Sequence, residues 1–312
     1  MKVIHGIQEL PKFKRPVLTT GTFDGIHIGH RKILSRVIER AAAIQGESVL
    51  VTFHPHPRLV LFPDDNDLKL LNTLEEKQQL LSEMGLDYML IIPFDGAFSR
   101  MKAEEYVTEF LKGSLNVHTL VVGYDHHFGR NRSGNYSLLL PLSEQLSFEL
   151  EEIPAQDIDQ VKVSSTKIRQ ALEAGDVKTA AEFLTYPYAI QGTVEHGQRL
   201  GKKLGFPTAN LAAIDTNKLI PANGVYAAYA QTQFGRFNAM VNIGVRPTVS
   251  QNGTQHIEAH LFNFNQDLYG QKINLIFLDR MREEKLFSNQ SELIRQLQLD
   301  AKQANEIHER LH

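Results

Sequence analysis

Up to about Pro154 the sequence alternates strand-length apolar runs with amphipathic helix-length stretches, and beyond Tyr186-Pro187 the alternation stops. Strand-like runs fall at 16–20, 49–53, 88–93, 119–122 and 148–153, with helix-like stretches at roughly 29–44, 73–84 and 103–111 among them. A helix between two strands of one sheet returns the chain through a right-handed crossover, so the strands run parallel. The first part is expected to be a Rossmann-like α/β domain, a mostly parallel sheet with helices on both faces. From Tyr188 onward strand-like runs follow one another at 189–194, 225–232, 238–243, 257–262 and 273–278, with turn signals such as Phe234-Gly235 and Asn252-Gly253. No helix-like stretch interrupts them before Ser291, where Leu293, Ile294, Leu297, Ala304, Ile307 and Leu311 mark an amphipathic helix. That is the pattern of an antiparallel β-barrel or sandwich closed by a C-terminal helix. The boundary is expected near residue 185, after the helix-like run 177–184, giving domains 1–185 and 186–312.

Ligands of a parallel sheet collect beyond the carboxyl ends of its strands. The segments that follow the first four candidate strands are polar or rich in glycine and histidine: 21–30, His54-Pro55-His56-Pro57, Phe94-Asp95 and 123–129. In the first of these, Gly21 and Gly25 supply the backbone freedom for a tight turn. His27 and His30 then lie one helical turn apart at the start of a helix carrying Ile33, Leu34, Val37, Ile38 and Ala41. A helix N-terminus favours phosphate through its free N–H groups and its dipole, and two imidazoles there add donors. The alternative is an ordinary pair of surface histidines. Zinc is disfavoured, because the chain has no cysteine and offers no evident third ligand. The prolines at 55 and 57 also fit a stiff turn, and adjacent His126 and His127 are expected to point apart, so Asp125 and Gly129 are the stronger candidates in the 123–129 loop.

Ser164, Ser165 and Thr166 read as N-caps of the next helix, and Arg169 falls four residues after Ser165 on the same helical face. Hydroxyls, free N–H groups and a guanidinium gathered there make a candidate pyrophosphate clamp. In the second part, residues 196–210 form a glycine-rich basic loop that is not a Walker A sequence, because Lys202 is followed by Lys203 rather than Ser or Thr. Thr208 and Asn210 are two residues apart, so in an extended segment both face one way, toward a Mg²⁺ ion and its nucleotide phosphates. Glu258, in an otherwise apolar strand, is either a solvent-facing carboxylate or a base for an attacking alcohol.

A formal net charge of -3 argues against nucleic acid as a partner, since non-specific binding there needs an excess of Lys and Arg. No apolar run is long enough for a bilayer, and Met1 to Gly6 hold no apolar core behind a basic start. Neither a membrane partner nor a signal peptide is expected, and the absence of cysteine fits a cytoplasmic location.

These motifs, in order, resemble those of the bifunctional prokaryotic riboflavin kinase/FMN adenylyltransferases, also called FAD synthetases. The nucleotidyltransferase signatures are residues 21–30 and Ser164-Ser165-Thr166-Lys167-Ile168-Arg169; the riboflavin-kinase signatures are Gly205-Phe206-Pro207-Thr208-Ala209-Asn210, residues 242–248, and Glu258 with Asp267-Leu268-Tyr269-Gly270. The resemblance implies that the barrel phosphorylates riboflavin with ATP, and that the α/β domain adenylylates FMN with a second ATP, giving FAD and pyrophosphate. It implies Glu258 as general base, Thr208 and Asn210 on Mg²⁺, and Gly201, Lys202, Gly205 and Pro207 around the nucleotide phosphates. In the first domain it puts His27 and His30 at the reacting phosphates, among Gly21, Phe23, Asp24 and Gly29. Ser165, Thr166 and Arg169 then surround the pyrophosphate, while Asp125 and Arg282 contact flavin. The sequence departs from the family at His126-His127-Phe128, at Lys202, where Arg is usual, and at Asn263, where Asp is frequent.

Overall fold

The computed structural model describes residues 1–8, 10–64, 68–154, 163–197, 201, 204–212, 214–245 and 255–311. By its contacts the chain divides into two compact units, Met1–Ser165 and Thr166–His312.

Among the described residues of the first unit, six strands form one parallel sheet: β1 (Lys2–His5), β2 (Pro16–Thr20), β3 (Glu47–His54), β4 (Tyr88–Pro93), β5 (Thr119–Gly123) and β6 (Glu149–Ile153). Successive strand residues point to opposite faces, and this sequence is apolar in both phases. Leu18, Val49, Val51, Leu90, Ile92, Leu120 and Val122 build one core with Val107, Phe110 and Leu111 of the helical stretch 103–114. Val17, Leu50, Met89, Ile91 and Val121 build the other, against Leu34, Val37 and Ala41 of helix α1 (Ile28–Ala43) and Leu81 of the helix Leu74–Glu83. Each such side chain contributes about 1.5–3 kcal/mol when fully buried. The helices are therefore held on both faces by packing rather than by their own propensity.

All five expected strands are present, and β1 is an addition. It is short, largely exposed and at the sheet edge, so it carries no apolar alternation to read. The expected helix at 103–111 runs on to Ser114, with π-helical winding over Tyr106–Ser114. Sheet order is β1-β4-β3-β2-β5-β6, so β3 and β4 lie on one side of β2 and β5 lies on the other. The strand order reverses between β2 and β5, and their carboxyl ends flank the crevice where such sheets bind ligands.

In the second unit β7 (Ala189–Glu195), β8 (Ala209–Ala212), β9 (Gly224–Thr232), β10 (Gly235–Val245), β11 (Gln255–Leu261) and β12 (Lys272–Arg282) form a closed antiparallel barrel in the order β10-β11-β8-β7-β12-β9. It is a barrel rather than a sandwich because β8 bridges β7 and β11. That strand was not expected: it has only four residues and begins within the 205–210 motif. The C-terminal helix Gln290–Arg310 packs Ala304 against Ala227 and Met240, with Leu297 and Ile307 beside it. The helices Ser165–Glu173 and Val177–Leu184 count with this unit beyond Ser165. Ala222 N donates to Leu172 O at 2.9 Å, and Lys178 pairs with Asp279 at 2.6 Å.

Candidate active sites

The link from β2 to α1 is a strained turn. Phe23 (φ 46°), Gly25 (φ 89°) and Ile26 (φ 38°) all take left-handed backbone, which is costly for a β-branched residue such as Ile26. Burial of the Phe23 and Ile26 side chains in the core holds this shape. It turns the buried Asp24 carboxylate inward, where Oδ1 accepts from Leu71 N at 3.0 Å and Asn72 N at 3.3 Å. Lys77 Nζ donates to Thr22 O at 2.6 Å, and Ser165 Oγ donates to Asp24 O at 2.9 Å. Three separate segments thus fix one turn.

His27 is the N-cap of α1: its Nδ1 accepts from His30 N at 3.4 Å, which leaves its ring proton on Nε2. The rings of His27 and His30 stack 3.6 Å apart at 15°, with Phe23 4.9 Å from His30. Gly29 is buried between them in the first turn. Burial lowers His27 to about 4, against the opposing charges of Asp24 and Asp125. Burial also takes His30 well below its ordinary value, helped by His27 and Lys77. Both imidazoles are therefore neutral near pH 7. Together with the N–H groups of the helix start they form a donor array that suits a ligand carrying its own negative charge.

The loop after β5 faces this array, since the Asp125 charge acts on His27. His126 Nε2 lies 3.5 Å from Thr20 Oγ1 at the end of β2, its ring stacks on Phe128 at 5.6 Å, and burial lowers it to about 4. This inward turn of His126 was not foreseen, because its partner Thr20 is 106 residues away. Gly129 (φ 70°) packs on the Ala103 backbone, where a Cβ would come within 2.7 Å of Ala103 Cα. Thr166 and Arg169 follow Ser165 on the helix Ser165–Glu173 and count with the second unit.

A stability prediction follows from His27. Its folded-state pKa is lowered, so the unfolded chain binds a proton below about 6.5 that the folded chain refuses until about 4. Stability therefore falls as pH drops through that window, by about 3 kcal/mol from this group alone. Urea unfolding followed by tyrosine emission, in a chain with no Trp, should show a lower midpoint at pH 5 than at pH 7. A midpoint that does not move would contradict the burial of this pair.

In the barrel, the antiparallel register sets Glu258 of β11 opposite Asn210 of β8 and opposite Asn242 of β10. Thr208 Oγ1 lies 3.3 Å from Glu258 Oε2, and His256 Nε2 lies 3.8 Å from Glu258 Oε1. The expected trio of Thr208, Asn210 and Glu258 is thus brought together. Gly197 leaves room for the Asn210 amide, because a Cβ there would collide with that amide. A Cβ on Gly201 would collide with Phe206 O and come within 3.3 Å of Thr208 Oγ1. Gly205 has φ 84°, and the following Pro207 carbonyl accepts from His260 Nδ1 at 2.8 Å. Lys202 and residues 246–248 lie outside the described residues.

Arg282 has its guanidinium in a bidentate pair with Asp300 of the C-terminal helix, at 2.9 and 2.7 Å. Asp300 is 1% exposed and also accepts from Gln296 Nε2 at 2.8 Å. Removing one partner of such a pair strands a buried charge, at a cost of about 3–5 kcal/mol. Arg282→Ala should therefore lower the melting temperature of the barrel unit markedly. An unchanged melting temperature would show that Arg282 is not needed to neutralise Asp300.

Two family models match consecutive stretches of the chain: FAD synthetase over residues 10–167 and riboflavin kinase over residues 184–308. Curated relatives match nearly end to end. The bifunctional riboflavin kinase/FMN adenylyltransferase of Buchnera aphidicola is 36% identical, covering 96% of each chain. That of Escherichia coli strain K12 is 35% identical, covering 98% of each, and that of Bacillus subtilis is 32% identical, covering 93% of this chain and 92% of its own. A solved structure titled as a macrolide-efflux protein from Streptococcus pneumoniae superposes with a TM-score of 0.88 at 29% identity, covering 97% of this chain and 98% of its own. No helix among the described residues is long and apolar enough to cross a membrane.

Proposed function

Because this chain belongs to the bifunctional riboflavin kinase/FMN adenylyltransferase family, we propose a mechanism in which residues 1–185 perform one of its two reactions and residues 186–312 the other. The chain phosphorylates riboflavin to FMN and adenylylates FMN to FAD, with ATP as the donor in both steps. The observation that carries the assignment is that each matched region has its own cluster of polar side chains. One is His27 with His30 at a helix start; the other is Thr208 and Asn210 beside Glu258 on a barrel seam.

In the kinase step Glu258 accepts the proton of the riboflavin 5′-hydroxyl as that oxygen attacks the γ-phosphorus of ATP. The bond to the bridging oxygen breaks and ADP leaves. Phosphoryl transfer depends on positioning and charge neutralisation more than on covalent help from the protein. Thr208 Oγ1 and the Asn210 amide oxygen fit a Mg²⁺ ion, a hard cation that takes oxygen ligands and keeps its waters and substrate phosphates. Substrate phosphates and water would supply its remaining ligands. Bound there, Mg²⁺ neutralises charge on the nucleotide phosphates. Gly201, Lys202, Gly205 and Pro207 are assigned to those phosphates by their sequence motif.

In the transferase step a phosphate oxygen of FMN attacks the α-phosphorus of a second ATP, and pyrophosphate leaves. The neutral imidazoles of His27 and His30 donate to phosphate oxygens as negative charge builds there. Gly21, Phe23 and Gly29 shape the helix start, and Asp24 fixes the turn through Leu71 and Asn72. Ser165, Thr166 and Arg169 are assigned to the pyrophosphate by their sequence motif, which makes residue 185 the proposed functional boundary. Asp125 faces the flavin side. Arg282 is assigned to the flavin end of the kinase site by its sequence motif, with its guanidinium held by Asp300. A cytoplasmic location and small-molecule substrates, rather than nucleic acid, complete the proposal.

The test is to incubate pure protein with riboflavin, ATP and Mg²⁺ and separate the flavins. FMN followed by FAD is expected. FMN alone, or FAD only from supplied FMN, would limit the chain to one activity, and no conversion would leave a flavin-binding protein.

A further inference from the structure

We propose that Lys77 is a positioning residue for adenylyl transfer: its buried ammonium clamps the Thr22 carbonyl and brings positive charge to bear on His30. The inference rests on the transferase reading above. Lys77 sits on the helix Leu74–Glu83, whose start is locked by a capping box between Thr73 and Glu76. On that helix Lys77 is 8% exposed and donates to Thr22 O at 2.6 Å. Lysine is almost never buried to this extent without partners. Here the partners belong to one turn: the Thr22 carbonyl, and Asp24, whose charge opposes the burial that pulls the Lys77 pKa below its ordinary value.

The position has two consequences. The first is mechanical. Thr22 precedes Phe23, Gly25 and Ile26, the three left-handed residues that lead to His27. A bond to the Thr22 carbonyl therefore fixes the turn at the start of its strained segment. The second is electrostatic. Asp24 from the turn and Asp125 from the β5 loop act on His27, while His27 from α1 and Lys77 from the helix Leu74–Glu83 act on His30. Lys77 is the cation among them that acts on His30, in the direction that keeps that imidazole neutral. The arrangement leaves both imidazoles as neutral donors to incoming phosphates.

Lys77→Met removes both the bond and the charge, and Lys77→Gln removes the charge while keeping a donor for Thr22 O. In Lys77→Met, kcat for FAD formation from FMN should fall by about 10- to 100-fold, as expected of a misplaced site. FMN formation by the barrel should stay within about twofold of the original chain. In both variants the acid limb of the kcat/KM profile for FAD formation should move to higher pH, because His30 is then protonated more easily. The ionisation of the substrate phosphates is the same in every variant, so the displacement reports the protein. Should Lys77→Met fail to fold, Lys77→Gln carries the test. An acid limb that stays in place, with or without a loss of rate, overturns the proposal and leaves Lys77 a purely structural residue. If the original chain forms no FAD at all, it is the transferase reading that fails.

Discussion

Glu258→Ala is expected to lower riboflavin phosphorylation by about 10²–10⁴-fold, the usual worth of a positioned general base, while FAD continues to form from supplied FMN. The residue is suited to this separation of effects. Its carboxylate sits at a seam where the register aligns it with Asn210 and Asn242, and Thr208 Oγ1 is 3.3 Å away. Truncation removes the proton acceptor and leaves the strand pairing of β11 in place, since those bonds are backbone to backbone. Glu258→Gln keeps the shape and the contact with Thr208 but cannot take the proton, so it should fall nearly as far. Assays with riboflavin and with FMN as the starting flavin, run on one preparation, read both effects. Glu258 would not be the base if Glu258→Gln kept more than about a tenth of the rate.

The second large effect is the converse. His30→Ala should reduce FAD formation by about 10²–10³-fold, the range seen when a donor to developing phosphate or oxyanion charge is removed. FMN should accumulate in its place. The change removes a ring that stacks on His27 at 3.6 Å and packs near Phe23. His30 N, which caps against His27 Nδ1, belongs to the backbone and remains, so α1 should still start at the same residue. His30→Asn, which restores a side-chain donor, should recover part of the loss. Equal loss in both variants would indicate that packing of the imidazole, rather than its donor, is what the reaction needs.

The fold was largely legible because its two halves use different periods. Val17 and Leu18, Leu50 and Val51, Met89 and Leu90 are adjacent apolar pairs that serve opposite faces of a buried parallel sheet. Glu258 and Asn210 stand out for the opposite reason, as polar positions within barrel strands. Less legible were the elements with little apolar content: β1, which is exposed at an edge, and β8, which is four residues long. Long-range pairings were not legible at all. Spacing places Asp24 in a tight turn before a helix start, yet the direction of its carboxylate is set by the amides of Leu71 and Asn72, 47 and 48 residues away. Arg282 reads as a charged residue in a motif, and only the packed C-terminal helix reveals Asp300 beside it. Lys77 looks like any lysine of an amphipathic helix until the strained turn above it is seen. In each case the partner is supplied by tertiary structure.

The central claim is that two separate sites on one chain act in succession. The most direct test mixes the Glu258→Ala and His30→Ala proteins with riboflavin, ATP and Mg²⁺. Neither variant alone should form FAD from riboflavin. The mixture should form it after a lag in which FMN rises, because FMN made by the His30→Ala chain is used by the Glu258→Ala chain. A mixture that forms FMN but no FAD, or FAD formation at the original rate by either variant alone, would contradict that division of labour.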